Sequence, residues 1–236
     1  MNNIYIPPVV KNLLIINILF FAATWLFQMQ GIINFEDSLA VYYFDSPKFR
    51  IWQPLTYMFM HGGFAHIFFN MFALYSFGSL LETRWGAKKF IIFYFITGLG
   101  ALALQWAVQA FEVHQLIGHI TLFDGWQQKI TNQTQVQTLG SIYYGGMLGA
   151  SGAIFGLLVA FGMLYPNAEL YIMFIPVPVK AKYIIPIYIL IELSLGVAQF
   201  EGDSIAHYAH LGGALIGFIL VKIWKDKNDT FYTLYE

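Results

Sequence analysis

The 236-residue chain contains no cysteine and few charged side chains. The lack of cysteine excludes disulfides, thiolate metal sites and a cysteine nucleophile. Only 11% of the residues are charged, against about 25% in soluble domains, so the chain lacks the polar surface that a water-soluble fold needs. The formal net charge of −1 gives no reason to expect nucleic acid or another polyanion as a partner. Composition therefore indicates a membrane protein.

Apolar residues are abundant instead, with 58% of the chain hydrophobic and 19% aromatic. A membrane-spanning helix needs roughly 20 mostly apolar residues. Six stretches come close to this length, at residues 12–28, 64–81, 90–111, 147–165, 183–200 and 206–224. Residues 1–236 are therefore predicted to form a single all-α membrane domain with six spans. The apolar run 170–179 is short and contains Pro176 and Pro178, so it is predicted to lie at the membrane interface.

The basic residues predict the direction of the spans. With both termini on the cytoplasmic side, nine of the 12 lysines and arginines fall on that side and three on the outer side. Cytoplasmic loops of membrane proteins carry such an excess of positive charge. The long connections at residues 30–63 and 113–146 are then outer segments. Segments of this length are usually functional or disordered.

Six polar side chains inside the predicted spans are candidates for function, because burying such groups in a membrane is costly. They are His66 and Asn70 in the second span, Ser151 in the fourth, Glu192 in the fifth, and His207 and His210 in the sixth. At a rise of 1.5 Å per residue, Ser151, His210, His66 and Asn70 are expected roughly 4–12 Å below the outer surface. A hydroxyl, an imidazole and further donors are thus predicted at one level.

Structural roles are the alternatives for each of these groups. A buried serine usually bonds to its own helix, and His66 and Asn70, four residues apart, could instead tie helices together. His207 is a second candidate base, about one turn nearer the outer surface than His210. Glu192 is interpreted as a contact between helices rather than part of a proton path. No acidic residue is expected to orient the imidazole, so the sequence predicts a serine–histidine dyad.

Small residues repeat every four positions beside the serine and the histidine. Gly152 and Gly156 follow Ser151, while Ala209, Gly213 and Gly217 flank His210. Such stripes let two membrane helices approach closely. Close approach is what a serine–histidine hydrogen bond of about 2.6–3.2 Å requires, so the fourth and sixth spans are predicted to pack together.

Four short motifs occur in order along the chain. They are His61-Gly62-Gly63 with His66 and Asn70, Glu82-Thr83-Arg84-Trp85-Gly86, Gly149-Ala150-Ser151-Gly152, and Ala209-His210-Leu211-Gly212-Gly213. In this order they resemble the rhomboid family of intramembrane serine proteases, which has a six-helix core. One departure is Trp52-Gln53, where a Trp-Arg pair is common in that family.

The resemblance implies that Ser151 is the nucleophile and His210 the base of a serine endopeptidase. The backbone N–H of Ser151 and the side chains of His66 and Asn70 are the expected oxyanion donors. Phe155, one turn after Ser151, is expected to pack on the His210 ring. The remaining supporting positions are Gly149, Gly152 and Gly213.

The expected reaction is cleavage of transmembrane segments of other membrane proteins near the outer face, with no cofactor and no metal. The expected partners are these substrates and the lipid bilayer, not nucleic acid, and the expected location is the bacterial inner membrane. The oligomeric state is not predicted. One alternative is a non-catalytic rhomboid-like factor that binds membrane proteins, which the presence of both Ser151 and His210 disfavours. Another is a metal or proton transporter built on the histidines at 61, 66, 207 and 210, although no His-Glu-x-x-His motif is present.

Overall fold

The computed structural model describes residues 6–31, 35–171, 177–198 and 206–224. Within them the chain is mostly helical, with one short two-stranded sheet. The helices are α1 (Pro8–Met29), α2 (Phe35–Leu39), α3 (Gln53–Thr56), α4 (Phe64–Ala73), α5 (Ser79–Trp85), α6 (Ala87–Ile117), α7 (Gln133–Tyr144), α8 (Ser151–Leu164), α9 (Ala181–Ala198) and α10 (His207–Trp224), and the strands are β1 (Glu169–Tyr171) and β2 (Pro178–Lys180).

Five described helices are long and apolar enough to cross a membrane. They are α1, the continuous helix Phe64–Trp85, α6, α9 and α10. In Phe64–Trp85, a π-helical turn over Leu74–Gly78 joins α4 to α5. The predicted helical membrane class is therefore confirmed, and five of the six predicted spans correspond to helices of spanning length. The remaining one, at residues 147–165, contains α8, which is apolar but has 14 residues.

The outward faces of these helices are covered with large apolar side chains. Leu19 on α1, Phe68 on α4, Leu190 on α9 and Ile223 on α10 are each at least 59% exposed. An apolar surface of this extent is unfavourable in water and suits hydrocarbon, where a helix satisfies its own backbone hydrogen bonds. The chain is therefore an integral membrane protein with several membrane helices.

Helix α10 packs against α8 and α6 through glycines. A Cβ atom on Gly213 would overlap the carbonyl oxygen of Gly152, and one on Gly217 would lie 2.8 Å from the Cα of Gly156. The predicted close packing of these two stripes is confirmed. Gly212 faces α6, where a Cβ would lie 2.9 Å from the carbonyl oxygen of Gly100. This third helix in the contact was not predicted.

The start of α8 differs from the prediction. The predicted span begins at Met147, but Met147 exchanges two backbone hydrogen bonds with Val41, at 2.8 and 2.9 Å. The Gly149 N–H donates to the carbonyl of Tyr57 at 2.9 Å, and Gly149 has φ +128°. These bonds engage the backbone groups that another helical turn would need. Ser151 is consequently the first residue of α8, so the helix begins four residues after the predicted start of the span.

The connections predicted to lie outside the membrane fold over the end of the bundle where α8 begins. The apolar side chains of Tyr43, Val113, Ile117, Leu139, Ile142 and Tyr143 form a separate cluster there. Ser46 donates from its hydroxyl to the Tyr143 carbonyl at 2.5 Å, and the Tyr143 hydroxyl donates to Asp45 at 2.7 Å. The long connection between residues 113 and 146 thus contributes the end of α6 and all of α7 to a packed unit.

The segment predicted at the membrane interface, residues 170–179, falls partly outside the described residues, which omit 172–176. Its described ends belong to an antiparallel pair in which Glu169 lies opposite Lys180 and Tyr171 opposite Pro178. The carbonyl of Ala168 then accepts from the N–H of Ala181 at 2.9 Å, so the pair leads directly into α9.

Glu82 joins the start of α1 to α5. Its carboxylate accepts the N–H of Val9 at 2.9 Å and the N–H of Val10 at 2.7 Å, and its residue is only 3% exposed. The first N–H groups of a helix have no partner within that helix. Glu82 supplies the missing acceptors and ties the first membrane helix to the end of the second.

We expect Glu82→Gln to lower the stability of the folded protein. The amide keeps one acceptor but turns a donor toward a backbone N–H, and an unsatisfied buried group costs about 1–3 kcal/mol. The measurement is thermal unfolding in detergent, with hydrogen exchange at Val9 and Val10 as the local readout. Asp124→Asn, at an exposed position, is the control. An unchanged unfolding midpoint and unchanged exchange would contradict the assigned role.

Candidate active site

Ser151 and His210 meet where α8 and α10 cross. Nε2 of His210 lies 2.8 Å from the Oγ of Ser151. Ser151 is the first residue of α8, and His210 lies one turn into α10. The next residue after Ser151 is Gly152, whose carbonyl touches Gly213, so the glycine contact and the hydrogen bond belong to the same crossing.

An aromatic ring supports the imidazole from one side. The ring of Phe155 stacks on that of His210 with centroids 4.3 Å apart and an interplanar angle of 9°. Phe155 lies one turn after Ser151 on α8, and the contact expected from that spacing is present. The ring of Tyr188 on α9 packs on Phe155 in turn, with centroids 5.1 Å apart. His210 is thus limited in how far it can tilt away from the serine.

A carboxylate lies at the edge of the imidazole, next to Nδ1. Oε2 of Glu192 is 2.9 Å from Nδ1 of His210 and 2.6 Å from Nδ1 of His207. The side chain of Glu192 is 6% exposed and that of His210 13%. The expectation that no acidic residue lies beside the imidazole is therefore wrong. It failed because α9 and α10 are separate helices, and sequence spacing does not relate their faces.

His207 was the alternative base in the sequence. In the structure its Nδ1 faces Glu192, and its ring centroid is 6.4 Å from that of His210. The imidazole nitrogen at hydrogen-bond distance from the Ser151 hydroxyl belongs to His210. The geometry therefore favours His210 over His207 as the group that can take a proton from Ser151.

Two polar side chains of α4, His66 and Asn70, are the other predicted members of the site. A Cβ on Gly149 would lie 2.8 Å from Nε2 of His66 and 3.5 Å from the Oγ of Ser151, so His66 reaches the residues just before the nucleophile. Asn70, one turn further along α4, is 6% exposed. Its amide nitrogen has no acceptor among the described residues. Since buried amide donors are nearly always bonded, Asn70 is suited to receive an acceptor from a bound molecule.

His61 lies behind His66, with ring centroids 5.0 Å apart. Burial away from water, together with the charge that His66 can carry, lowers the pKa of His61 to about 3. His61 is therefore neutral at pH 7 and packs as a polar aromatic ring rather than as a cation.

The four-histidine cluster considered for a transporter does not form. His61 and His66 lie together on one side, and His207 and His210 on another. Among the described residues, the group with the spacing of metal ligands is Glu192, His207 and His210, whose ligand atoms lie within 4.8 Å of one another. The serine and its neighbouring glycines have no use in such a transport site.

Comparison with known proteins bears directly on this geometry. The family model described as Rhomboid domain matches residues 48–226. The chain belongs to the rhomboid family. The match includes Ser151, His210, His66 and Asn70, so the residues identified from the motifs all lie within the family domain.

Rhomboid relatives come from several kinds of organism. The chain is 31% identical over 161 residues to Rhomboid protein 1, mitochondrial, of Saccharomyces cerevisiae, covering 68% of this chain and 38% of the relative. It is 27% identical over 216 residues to Rhomboid-like protein 11, chloroplastic, of Arabidopsis thaliana, covering 89% and 62%. It is 25% identical over 173 residues to Rhomboid protease GlpG of Salmonella newport, covering 73% and 48%.

The matched regions span 38–62% of the length of these three relatives. Two of them are named mitochondrial or chloroplastic. These relatives do not support the predicted location in the bacterial inner membrane. What they and the helices support is an integral, multi-pass membrane location.

We expect Gly213→Leu to destroy the site although Gly213 carries no reactive group. Even the first added carbon would overlap the Gly152 carbonyl, so α8 and α10 must separate. About 1 Å of misplacement costs roughly 100-fold in rate. The measurement is covalent labelling of Ser151 by a serine-directed fluorophosphonate in detergent, which should fall by at least that factor.

Ile219→Leu is the matched control, because Ile219 lies on the exposed face of the same helix at 40% exposure. It should label like the wild type. Full labelling of the Gly213→Leu protein would mean that the glycine contact does not set the Ser151–His210 distance.

Proposed function

We propose that this rhomboid is an intramembrane serine endopeptidase that cleaves transmembrane segments of other membrane proteins near the outer face. Ser151 is the nucleophile and His210 the general base. The observation that carries the proposal is the 2.8 Å separation of Ser151 Oγ and His210 Nε2 at a contact of helices that leaves neither side chain free to move away. A serine becomes nucleophilic when a neighbouring base takes its proton.

The first chemical step forms a bond between Ser151 Oγ and the carbonyl carbon of the substrate. His210 Nε2 takes the hydroxyl proton and then gives it to the leaving amine as the peptide bond breaks. Water subsequently attacks the acyl carbon while His210 takes a proton from it. His210 then returns that proton to Ser151 Oγ as the acyl–Oγ bond breaks and the new carboxyl end of the substrate leaves. The stacked Phe155 ring keeps the imidazole in the orientation that both proton transfers, from Ser151 and to the leaving amine, require.

The negative oxygen formed on attack needs donors that are already in place. The backbone N–H of Ser151 belongs to the first turn of α8, where N–H groups have no partner inside the helix. The amide nitrogen of Asn70, which has no acceptor among the described residues, and the imidazole of His66 are the further donors. The positive end of the α8 dipole adds to the stabilisation of an anion at this position.

The length of α8 supports a catalytic site below the membrane surface. Its 14 residues extend roughly 21 Å, against about 30 Å of hydrocarbon. In the proposed topology of six spans with cytoplasmic termini, α8 completes its crossing through the non-helical residues 147–150. Non-helical backbone is tolerated at that depth when protein covers it, and here Val41 and Tyr57 hold it.

The proposed substrate is a membrane helix whose outer end unwinds readily. A peptide bond inside a helix is not accessible to Ser151, because its carbonyl and N–H are bonded within the helix. Small or helix-breaking residues near the outer end of the substrate span lower the cost of unwinding. The surrounding bilayer and such transmembrane proteins are the partners we assign, with no cofactor.

We expect Ser151→Ala and His210→Ala each to abolish cleavage while the protein stays folded. The test is cleavage of a reporter membrane protein whose transmembrane segment has glycine and alanine near its outer end, in proteoliposomes. Because the two residues act as a unit, the double variant should be no worse than either single variant. Thermal unfolding in detergent checks that each variant folds.

The same reporter and labelling experiments also distinguish a protease from a non-catalytic binding factor. A wild-type protein that binds the reporter but neither cleaves it nor reacts with the fluorophosphonate would contradict the proposal in favour of the binding factor. A double variant far less active than both single variants would mean that one of the two residues is misassigned.

We expect Asn70→Ala to lower kcat by about 10²–10³, the usual effect of losing one oxyanion donor, and to leave KM nearly unchanged. His66→Ala should act in the same direction. Steady-state kinetics on the reporter provide the measurement, and Phe69→Ala, at an exposed position beside Asn70, is the matched control. Complete loss of activity in both α4 variants, equal to that of Ser151→Ala, would argue for a structural role or for His66 as the base.

A further inference from the structure

Glu192 has no part in the two-residue mechanism proposed above, yet it lies directly behind the base. Its side chain is 6% exposed on a helix of membrane-spanning length. A carboxylate in such a place is costly unless it is paired. Helix packing alone does not require a charged group there, since the neighbouring positions on α9 are apolar. The two imidazoles are what the carboxylate contacts.

We propose that Glu192 is a positioning residue, an inference that rests on the proposed protease function. Glu192 accepts the Nδ1–H of His210 so that Nε2 faces Ser151, and His207 in turn holds Glu192. The site is then a Ser151–His210–Glu192 arrangement with a second histidine behind it, rather than a dyad.

The two nitrogens of His210 have different roles. A neutral imidazole carries one N–H, and the partner at one nitrogen decides which tautomer is present. A carboxylate only accepts, so Glu192 at 2.9 Å from Nδ1 selects the tautomer with the proton on Nδ1. The lone pair then lies on Nε2, the atom 2.8 Å from the Ser151 hydroxyl. Without the carboxylate, the Nε2–H tautomer becomes available, which cannot take the serine proton.

The same contact supports the charge that forms during the reaction. Once His210 has taken the proton of Ser151 it is an imidazolium, with N–H groups at both nitrogens. A carboxylate at Nδ1 stabilises that cation without itself taking the proton. The Phe155 ring stacked on the imidazole limits tilting, but it offers no acceptor at the ring edge. Stacking and hydrogen bonding therefore restrain different movements of the same ring.

Glu192 is itself held in place by α10. His207 Nδ1 lies 2.6 Å from the same Oε2 atom, so the carboxylate joins two positions one turn apart on that helix. The hydroxyl of Tyr208 donates to the Gly196 carbonyl at 2.9 Å, one turn after Glu192. A Cβ on Gly196 would lie 3.2 Å from that of His207, so α9 and α10 approach closely here. These contacts fix the side from which Glu192 reaches His210.

Binding a metal ion is the alternative role for Glu192, His207 and His210. Zinc binds imidazole nitrogen and carboxylate oxygen at about 2.0–2.2 Å, and tetrahedral ligands are then roughly 3.4 Å apart. The observed separations of 2.6 and 2.9 Å are shorter and match charge-assisted hydrogen bonds. An ion on Nδ1 would also occupy the position of the proton that orients His210. The distances therefore favour direct hydrogen bonds.

The decisive variant is Glu192→Gln, which keeps the shape of the side chain and removes its charge. We expect kcat on the transmembrane reporter to fall on the order of 10²–10⁴ with KM nearly unchanged, and the rate of fluorophosphonate labelling to fall in parallel. Glu192→Asp restores the charge with a shorter reach, so it should recover part of the rate. A purely structural role would respond to the change in length and not to the change in charge.

A spectroscopic readout tests the tautomer itself. In protein with 15N-labelled histidine, the Nδ1 and Nε2 signals of His210, assigned by their loss in His210→Ala, should report a proton on Nδ1 in the wild type. In Glu192→Gln a mixture of tautomers should appear. Glu82→Gln is the matched control, because Glu82 is also a buried carboxylate but its partners are backbone N–H groups. It should leave the His210 signals unchanged.

The outcomes separate this inference from the protease proposal. Wild-type kcat in Glu192→Gln together with an unchanged His210 spectrum overturns the role of Glu192 and leaves the protease proposal standing. A wild type that neither cleaves nor labels overturns the protease function, whatever the spectrum. If EDTA alone reproduces the Glu192→Gln loss in the wild type, the three groups act as a metal site and the inference is wrong. Should Glu192→Gln fail to fold, an unprotonated Nδ1 in the wild-type spectrum overturns it.

Discussion

Backbone contact between α8 and α10 at Gly152 and Gly213 is the constraint on which the rest of the site depends. No side chain separates the two helices there, because a Cβ on Gly213 would overlap the Gly152 carbonyl. Ser151 directly precedes one glycine, and His210 lies one turn before the other. The contact thus brings a hydroxyl and an imidazole to 2.8 Å. Gly212 extends the contact to α6, so three helices are held at one crossing.

A second constraint is the non-helical backbone that leads into Ser151. Backbone hydrogen bonds of Met147 with Val41 and from the Gly149 N–H to the Tyr57 carbonyl hold residues 147–149. Gly149 adopts φ +128°, which favours glycine. A side chain at Gly149 would also meet His66. These bonds make α8 begin at the serine instead of before it. The first N–H groups of α8 are thereby left without partners inside the helix, next to Gly149, which His66 reaches.

Buried polar groups in this protein fall into two kinds. Glu82 accepts two backbone N–H groups at the start of α1, an arrangement that completes the hydrogen bonding of a helix end. Glu192 instead contacts two imidazoles, one of which also contacts the serine. Both carboxylates satisfy the requirement that a charge in an apolar surrounding be paired. Only the second places its partner in contact with the proposed nucleophile.

The sequence by itself determined the membrane class, the approximate helix positions and the pairing of Ser151 with His210. The membrane class and the helix positions follow from hydropathy over about 20 residues, and the close approach of α8 and α10 follows from small residues repeated every four positions. The choice of Ser151 and His210 comes from the resemblance of their motifs to those of rhomboids. The tertiary structure alone decided that α8 starts at Ser151, that α6 joins the glycine contact, and that Glu192 lies behind His210. Each of these depends on how one element is oriented relative to another that is distant in the chain or that lies on a different helix. No periodicity within a single helix encodes that orientation.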